Sequence, residues 1–329
     1  MTFDCEEELL KIKNEHPLAD LVVRIREDVP PGDQTSPVGM EFPWSKKFGC
    51  LPSEAIRLVG VAEQLGLRVV GVSFHAGFRV YNTSIYDRAF AAAKFVFDSV
   101  YERCGRRLEV LDIGGGFYGD RNARLPFENA APAIRSAISQ YFGDELSTGL
   151  LRIIAEPGQY MVASAFTLTV NVIGVRRMMN HSDAGSSYAS TGDPVASETT
   201  CHYFLNDGAY GSFRYYREHN DARLVRQVPH LLVGHRASNS TTLMSETSST
   251  KNEVVFKSVL WGPTADSRDF VDDNCRIEHL ELGDWLVFED MGLYSTTCST
   301  SFNGMPAPEM IYVIEEKYVD DRSVTDMIA

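Results

Sequence analysis

No two of the six cysteines form a C-x-x-C pair. Cys5, Cys50, Cys104, Cys201, Cys275 and Cys298 are scattered singly, so neither a zinc site nor a dithiol redox motif is signalled, and free thiols are expected. A long apolar run is missing too. The best stretch, 160–175, is interrupted by Ser164, Thr167, Thr169 and Asn171, and it alternates as a half-buried strand does. No membrane span follows from it. The N-terminal MTFDCEEELL has no basic segment leading into an apolar one, which argues against a secretory leader and for a cytoplasmic chain. Positive charge is scarce as well. The sequence sets 31 Lys and Arg against 45 Asp and Glu, and its net charge of −14 repels nucleic acid and anionic lipid surfaces.

What is present is an ordinary globular composition, 44% hydrophobic and 23% charged, over 329 residues. At roughly 150 residues per domain that length predicts about two domains. The first half repeats one pattern, a helical stretch and then a short β-branched run. Strand-like runs fall at 21–25, 67–74, 108–113 and 151–155, with helical stretches such as 84–102 and 127–141 between them. Such alternation predicts a parallel sheet with helical crossovers. After Gly158 the rhythm becomes strands and turns, at 166–175, 258–261, 284–288 and 310–314, which reads as an all-β second domain. Two Ser- and Thr-rich stretches, 182–200 and 238–251, read as mobile surface loops.

Parallel α/β folds place ligands at the C-terminal ends of their strands. There this sequence carries His75 after VVGVSF, the glycines of GGGFYG (114–119) after LEVLDI, and Glu156 after LRIIA. Successive N–H groups in a glycine turn can cradle a phosphate, but a turn that needs positive φ explains the same glycines. His75 alone is equally readable as a core histidine, and Glu156 as a turn cap.

Taken in order, the segments MTFD (1–4), VGVSFHAG (70–77), LDIGGGF (111–117), IIAEPGQY (153–160), VASAFTLTVNVI (162–173), NDGAYGSF (206–213), WGPTADSRD (261–269), GDWLVFEDMGLY (283–294) and FNGMPAPEMIYV (302–313) resemble the ornithine decarboxylase family. This family comprises pyridoxal 5'-phosphate-dependent decarboxylases of fold type III, together with antizyme-inhibitor-like and prozyme-like paralogues. The resemblance implies a partial TIM (β/α) barrel of the alanine-racemase type over 1–158 and a C-terminal β-domain over 159–329. It implies that residue 1 falls near the fourth of eight barrel strands, leaving about three strands unaccounted for. His75 would stack on the cofactor ring, and Glu156 would hold the ring nitrogen protonated. Gly114, Gly115, Gly116, Gly158, Gln159 and Tyr294 would surround the phosphate. Asn206, Asp207 and Asp266 would face the distal amine of a diamino acid, with Asp266 reaching into a partner's site.

Departures from the family pattern each remove a piece of chemistry. None of the eight lysines stands at a strand end that matches the cofactor-anchoring lysine. FHAGFR puts Phe78 in place of a phosphate-binding serine, and EPGQ puts Gln159 in place of an arginine fork. In WGPTAD, Ala265 replaces the cysteine that returns a proton to the decarboxylated product. The resemblance therefore predicts an impaired, regulatory paralogue of polyamine metabolism that forms a homodimer, or a heterodimer with an ornithine decarboxylase, with antizyme as a further partner. An active ornithine decarboxylase making putrescine, whose lysine lies outside this chain, is the alternative.

Overall fold

Strands and helices alternate through the first half as the hydrophobic period requires. The computed structural model describes residues 1–26, 47–77, 82–119, 127–179, 199–219, 230–233 and 255–313. They divide into two units, the first being Met1–Leu168 with the returning segment Phe288–Leu293. Its strands are β1 (Thr2–Phe3), β2 (Asp20–Arg24), β3 (Arg68–Ser73), β4 (Val110–Asp112) and β5 (Arg152–Ile154). Between them lie α1 (Glu6–Glu15), α2 (Pro52–Gln64), α3 (Ser84–Cys104) and α4 (Phe127–Ser147).

All five strands pair in parallel, in the order β1-β2-β3-β4-β5. A doubly wound sheet reverses its strand order at a switch point, whereas this unreversed order is the winding of a TIM barrel. Five strands are seen among the described residues where a closed barrel of this type has eight. The central strand β3 is buried from Val69 to Ser73, as expected where both faces of a parallel sheet are covered. Aromatic rings fix the helical cover. Phe74 meets Phe90 edge-on at 5.3 Å, and Phe142 lies 6.3 Å from Phe90 and 5.1 Å from Phe97. A break in α4 at Phe142, φ −133°, accompanies the complete burial of that ring.

Register, more than strand length, positions the strand ends. Arg24 pairs with Ser73, Ser73 with Asp112, and Asp112 with Ile154. These four form one row with side chains on one face of the sheet. The residues that follow them, His75, Gly114 and Glu156, therefore leave the sheet at one level.

The first unit extends beyond the expected boundary at 158 because the chain does not leave it there. Helix α5 (Gly158–Val162) and the turn after it are held by Phe288–Leu293, through Met291 N–H to Phe166 O at 3.0 Å and Gly292 N–H to Ala163 O at 3.0 Å. The second unit is a six-stranded mixed sheet of β6 (Leu168–Met179), β7 (Thr199–Leu205), β8 (His230–Val233), β9 (Phe256–Trp261), β10 (Phe270–Ile277) and β11 (Trp285–Phe288). Its order is β10-β9-β7-β6-β11-β8, and one short helix, α6 (Arg214–His219), accompanies it. The expected strand at 310–314 is not formed over 310–313. Ile311, Tyr312 and Val313 are 76%, 84% and 87% exposed, and the segment joins no ladder among the described residues. Of the expected loop 182–200, Thr199 and Thr200 instead open β7, and its other residues, like 238–251, lie outside the described residues. Among the described residues no helix is long and apolar enough to cross a membrane.

Candidate active site

The end of β3 turns back on itself at His75. Its Nδ1 accepts the N–H of Gly77 at 3.0 Å, which aims the ring and leaves Nε2 for another contact. Below the ring runs the glycine turn that follows β4. A Cβ on Gly114 would come within 2.5 Å of the Phe74 carbonyl oxygen. One on Gly115 would run into the carbonyl of Glu156 and approach His75 Nε2 to 3.6 Å. On Gly116, at φ +84°, it would strike the carbonyl of Gly77. Three strand ends thus meet main chain to main chain, a closeness that only glycine permits. Glu156 is tied in by its own N–H, which donates to Gly114 O at 2.7 Å, while its side chain is exposed.

Two charged residues complete the centre. Asp112 is 5% exposed, and its Oδ1 accepts the N–H of Gly114 at 2.9 Å. Burial holds its carboxyl above the usual carboxylate range, and the charge of Glu156 adds to this against the pull of Gly114 N–H, His75 and Arg24. His75 is pushed the other way, below the usual imidazole value, by burial and then by Arg24. The sequence reading missed both Arg24 and Asp112. Each is a charged residue inside a strand-like run, next to its last apolar residue, Ile25 or Ile113.

His75, Gly114, Gly115, Gly116 and Glu156 come together in the first unit. At Gly158 a Cβ would meet nothing within 4 Å. Gln159 Nε2 is buried with no hydrogen-bond partner among the described residues. Phe78 lies outside the described residues. Among the described residues the charged neighbours of His75 are Arg24 and Asp112, with no lysine among them. Lys94 is committed to Asp98 and Glu145, and Lys11 to Glu8, while Lys46, Lys251 and Lys317 lie outside the described residues.

Asn206, Asp207, Ala265, Asp266 and Tyr294 belong to the second unit. Asn206 Oδ1 accepts the N–H of Asn171 at 2.8 Å, which locks β6 to the end of β7. Asp207 Oδ1 takes the N–H groups of Gly208 and Ser212 at 2.7 and 3.0 Å, whereas its Oδ2 is buried with no partner among the described residues. Asn206 and Asp207 line an open cleft with Tyr210, Thr264, Asp269 and Phe302. Ala265 is exposed. Asp266 accepts the Tyr210 hydroxyl at 2.5 Å and the Arg268 guanidinium at 2.8 Å. Tyr294 lies in the left-handed region, φ 53°, with its ring 5.0 Å from that of Tyr215. Tyr210 and Arg268 were not singled out from the sequence, although both fall inside the matching segments.

A sequentially wound parallel sheet with a glycine turn and a histidine at its strand ends, followed in the chain by a β-unit, is the arrangement that the resemblance to pyridoxal-dependent decarboxylases implies. The profile of their pyridoxal-binding domain matches residues 1–163. Over 95% of its length the chain is 34% identical to ornithine decarboxylase of Mus musculus and 35% identical to antizyme inhibitor 2 of Xenopus laevis. It spans 60% and 61% of those proteins. The crystal structure of a lysine/ornithine decarboxylase from Vibrio vulnificus, complexed with putrescine, superposes with a TM-score of 0.68 at 26% identity. That match covers 95% of this chain and 68% of the other. The chain belongs to the ornithine decarboxylase family of pyridoxal 5'-phosphate-dependent, fold type III decarboxylases.

The residues present fit the cofactor of that family. At Gly158 a Cβ would meet nothing within 4 Å, which leaves open space for an anion, the Gln159 Nε2 is a buried donor without a partner among the described residues, and His75 offers a ring face.

Proposed function

We propose that this chain is an ornithine decarboxylase-like paralogue of polyamine metabolism, impaired in its own catalysis, which acts by pairing with another chain in the manner of an antizyme inhibitor or a prozyme. Ala265 carries this reading. A methyl group stands where the resemblance puts a proton-returning thiol, and a methyl group neither holds nor moves a proton. Gln159 in place of an arginine fork supports it, because an amide brings no charge to a phosphate. So does the 35% identity to an antizyme inhibitor. The partners that fit are an active ornithine decarboxylase, a second copy of this chain, and antizyme, all met in the cytoplasm. The test is a pull-down of the full chain against mouse ornithine decarboxylase and against antizyme, with decarboxylase activity followed in parallel. Capture of one with a change in putrescine output is expected, and capture of neither would sink the reading.

A second reading is favoured by the intact cradle. Here the chain binds pyridoxal 5'-phosphate and, within a longer protein that supplies a lysine, decarboxylates ornithine. When bound, the cofactor supplies an electron sink for the carbon that loses carbon dioxide. His75 would lie against one face of the ring and Glu156 would keep a proton on the ring nitrogen. Gly114, Gly115, Gly116, Gly158 and Gln159 would hold the phosphate. A cofactor absorption band at the edge of the visible, fixed by borohydride onto one lysine, would favour this reading over the first.

A further inference from the structure

The two carboxylates that the family reading assigns to a distal amine are in different states. Asp207 keeps one oxygen, Oδ2, buried and without a partner among the described residues. Asp266 keeps none. Its Oδ1 accepts the backbone N–H of Arg268 at 2.9 Å and Arg268 Nε at 3.2 Å. Its Oδ2 accepts Arg268 Nε at 3.2 Å, Arg268 Nη2 at 2.8 Å and the Tyr210 hydroxyl at 2.5 Å. A carboxylate offers about four lone-pair positions, and five contacts use them all. The third carboxylate of this region, Asp269, is also filled, by the N–H groups of Ala209 at 2.7 Å and Thr264 at 2.9 Å.

We propose that Arg268 is a built-in occupant of the Asp266 carboxylate, a specificity-determining cation that keeps this half of the amine-recognising pair from taking a free alkylammonium group. The proposal rests on the family reading of Asp207 and Asp266. Arg268 stands two residues from Asp266, so the pairing needs little loop closure, and its planar fork spans both carboxylate oxygens as a lysine ammonium could not. Tyr210 holds Asp266 from the other side and packs against Phe302, with the rings tilted and their centroids 4.5 Å apart, which fixes the carboxylate toward the guanidinium. The charge of the pair is then internally balanced. Of the two carboxylates, Asp207 alone keeps an oxygen without a partner among the described residues, so Asp207 stays open to an ammonium group and Asp266 does not.

Calorimetric titration of the full chain with putrescine tests this, using the parent, Arg268→Ala and Arg268→Gln. Arg268 is 77% exposed, so neither substitution opens a cavity, and Arg268→Gln preserves most of the stem if the alanine variant is poorly behaved. Both variants should bind putrescine about fivefold more tightly than the parent, the scale of an exposed ion pair. Adding Asp266→Asn should remove the gain. No gain in either variant, or a gain that survives Asp266→Asn, overturns the proposal. Adding Asp207→Asn to Arg268→Ala separates the two levels of argument. Weakened binding supports both, whereas undiminished binding means the cleft is not the amine site, and the family reading falls together with the proposal. Pairing with a decarboxylase is read separately by pull-down, so its failure leaves this result standing.

Discussion

Two turns of this molecule are cramped by the same device, a glycine whose missing Cβ makes room for a neighbour, and they differ in what the neighbour is. Around His75, Gly114, Gly115 and Gly116 lie against the main-chain carbonyls of Phe74, Glu156 and Gly77. In the second unit, Gly208 and Gly262 lie against the side chain of Asp269, and Gly211 against that of Asp207. A site assembled from carbonyls and N–H groups is specified by strand register and persists through side-chain replacement. A site assembled from carboxylates is rewritten by one substitution. That contrast explains why the cradle reads as intact while Ala265 and Arg268 alter the other half.

The largest expected effect comes from breaking the main-chain half. Gly116→Ala forces a side chain into a left-handed residue and against the Gly77 carbonyl, which cannot rotate away. Left-handed strain and overpacking together should destabilise the first unit by about 3 kcal/mol. Gly211→Ala pushes only on the Asp207 carboxylate, which has its own rotamers, and should cost about 1 kcal/mol. Urea unfolding of the two variants checks the ranking, and equal losses would erase the distinction between the two sites.

Acid titration sharpens the comparison further, because Asp112 and His75 act with opposite sign. Asp112 is held above the usual carboxylate value, so its ionised form is a burden at neutral pH. Stability tied to it rises as the pH falls through that raised value, and levels off below about pH 4. His75 is held below the usual imidazole value. Its contribution is complete above about pH 6.5 and is lost as the pH falls from there through the depressed value. Asp112→Asn should therefore steepen the acid loss of stability, and His75→Gln should flatten it. Thermal melts between neutral pH and about pH 4 read both slopes. A His75→Gln profile parallel to that of the parent would falsify the assignment.

How much of this was legible beforehand follows the same division. The runs at 21–25, 67–74 and 108–113 announce β2 to β4 because strands inside a parallel sheet are largely apolar, and the run at 151–155 announces β5 although Arg152 and Ile154 stay exposed. Two-residue β1 is too short to show any period. In β10, register shifts between Phe270 and Asp272 and between Asp272 and Cys275 break the alternation a reader looks for. At 310–314 the apolar residues looked like a strand, yet 310–313 form none and three of them are largely exposed. His75, the glycines and Glu156 were visible because they end apolar runs. Asp112 was hidden by being counted as part of its strand. The Arg268 pairing was invisible because side-chain geometry, and no periodicity, brings a guanidinium onto Asp266.

Gly158 gives the smallest effect on stability and the finest test of the contrast. It is a glycine of the EPG turn that the resemblance assigns to the phosphate, yet a Cβ there meets nothing within 4 Å and its φ is not positive. The fold gives no reason for glycine at this position. As the first residue of α5, it should tolerate Gly158→Ala with a change of at most about 1 kcal/mol, and in the stabilising direction, since alanine loses less backbone freedom in a helix. If the space is kept open for a ligand, the same substitution should weaken pyridoxal 5'-phosphate binding in a fluorescence titration while the melting temperature holds or rises. Unchanged cofactor binding would mean the open space at Gly158 is not part of the cradle. The anion site would then shrink to Gly114, Gly115 and Gly116, where main-chain crowding already demands glycine.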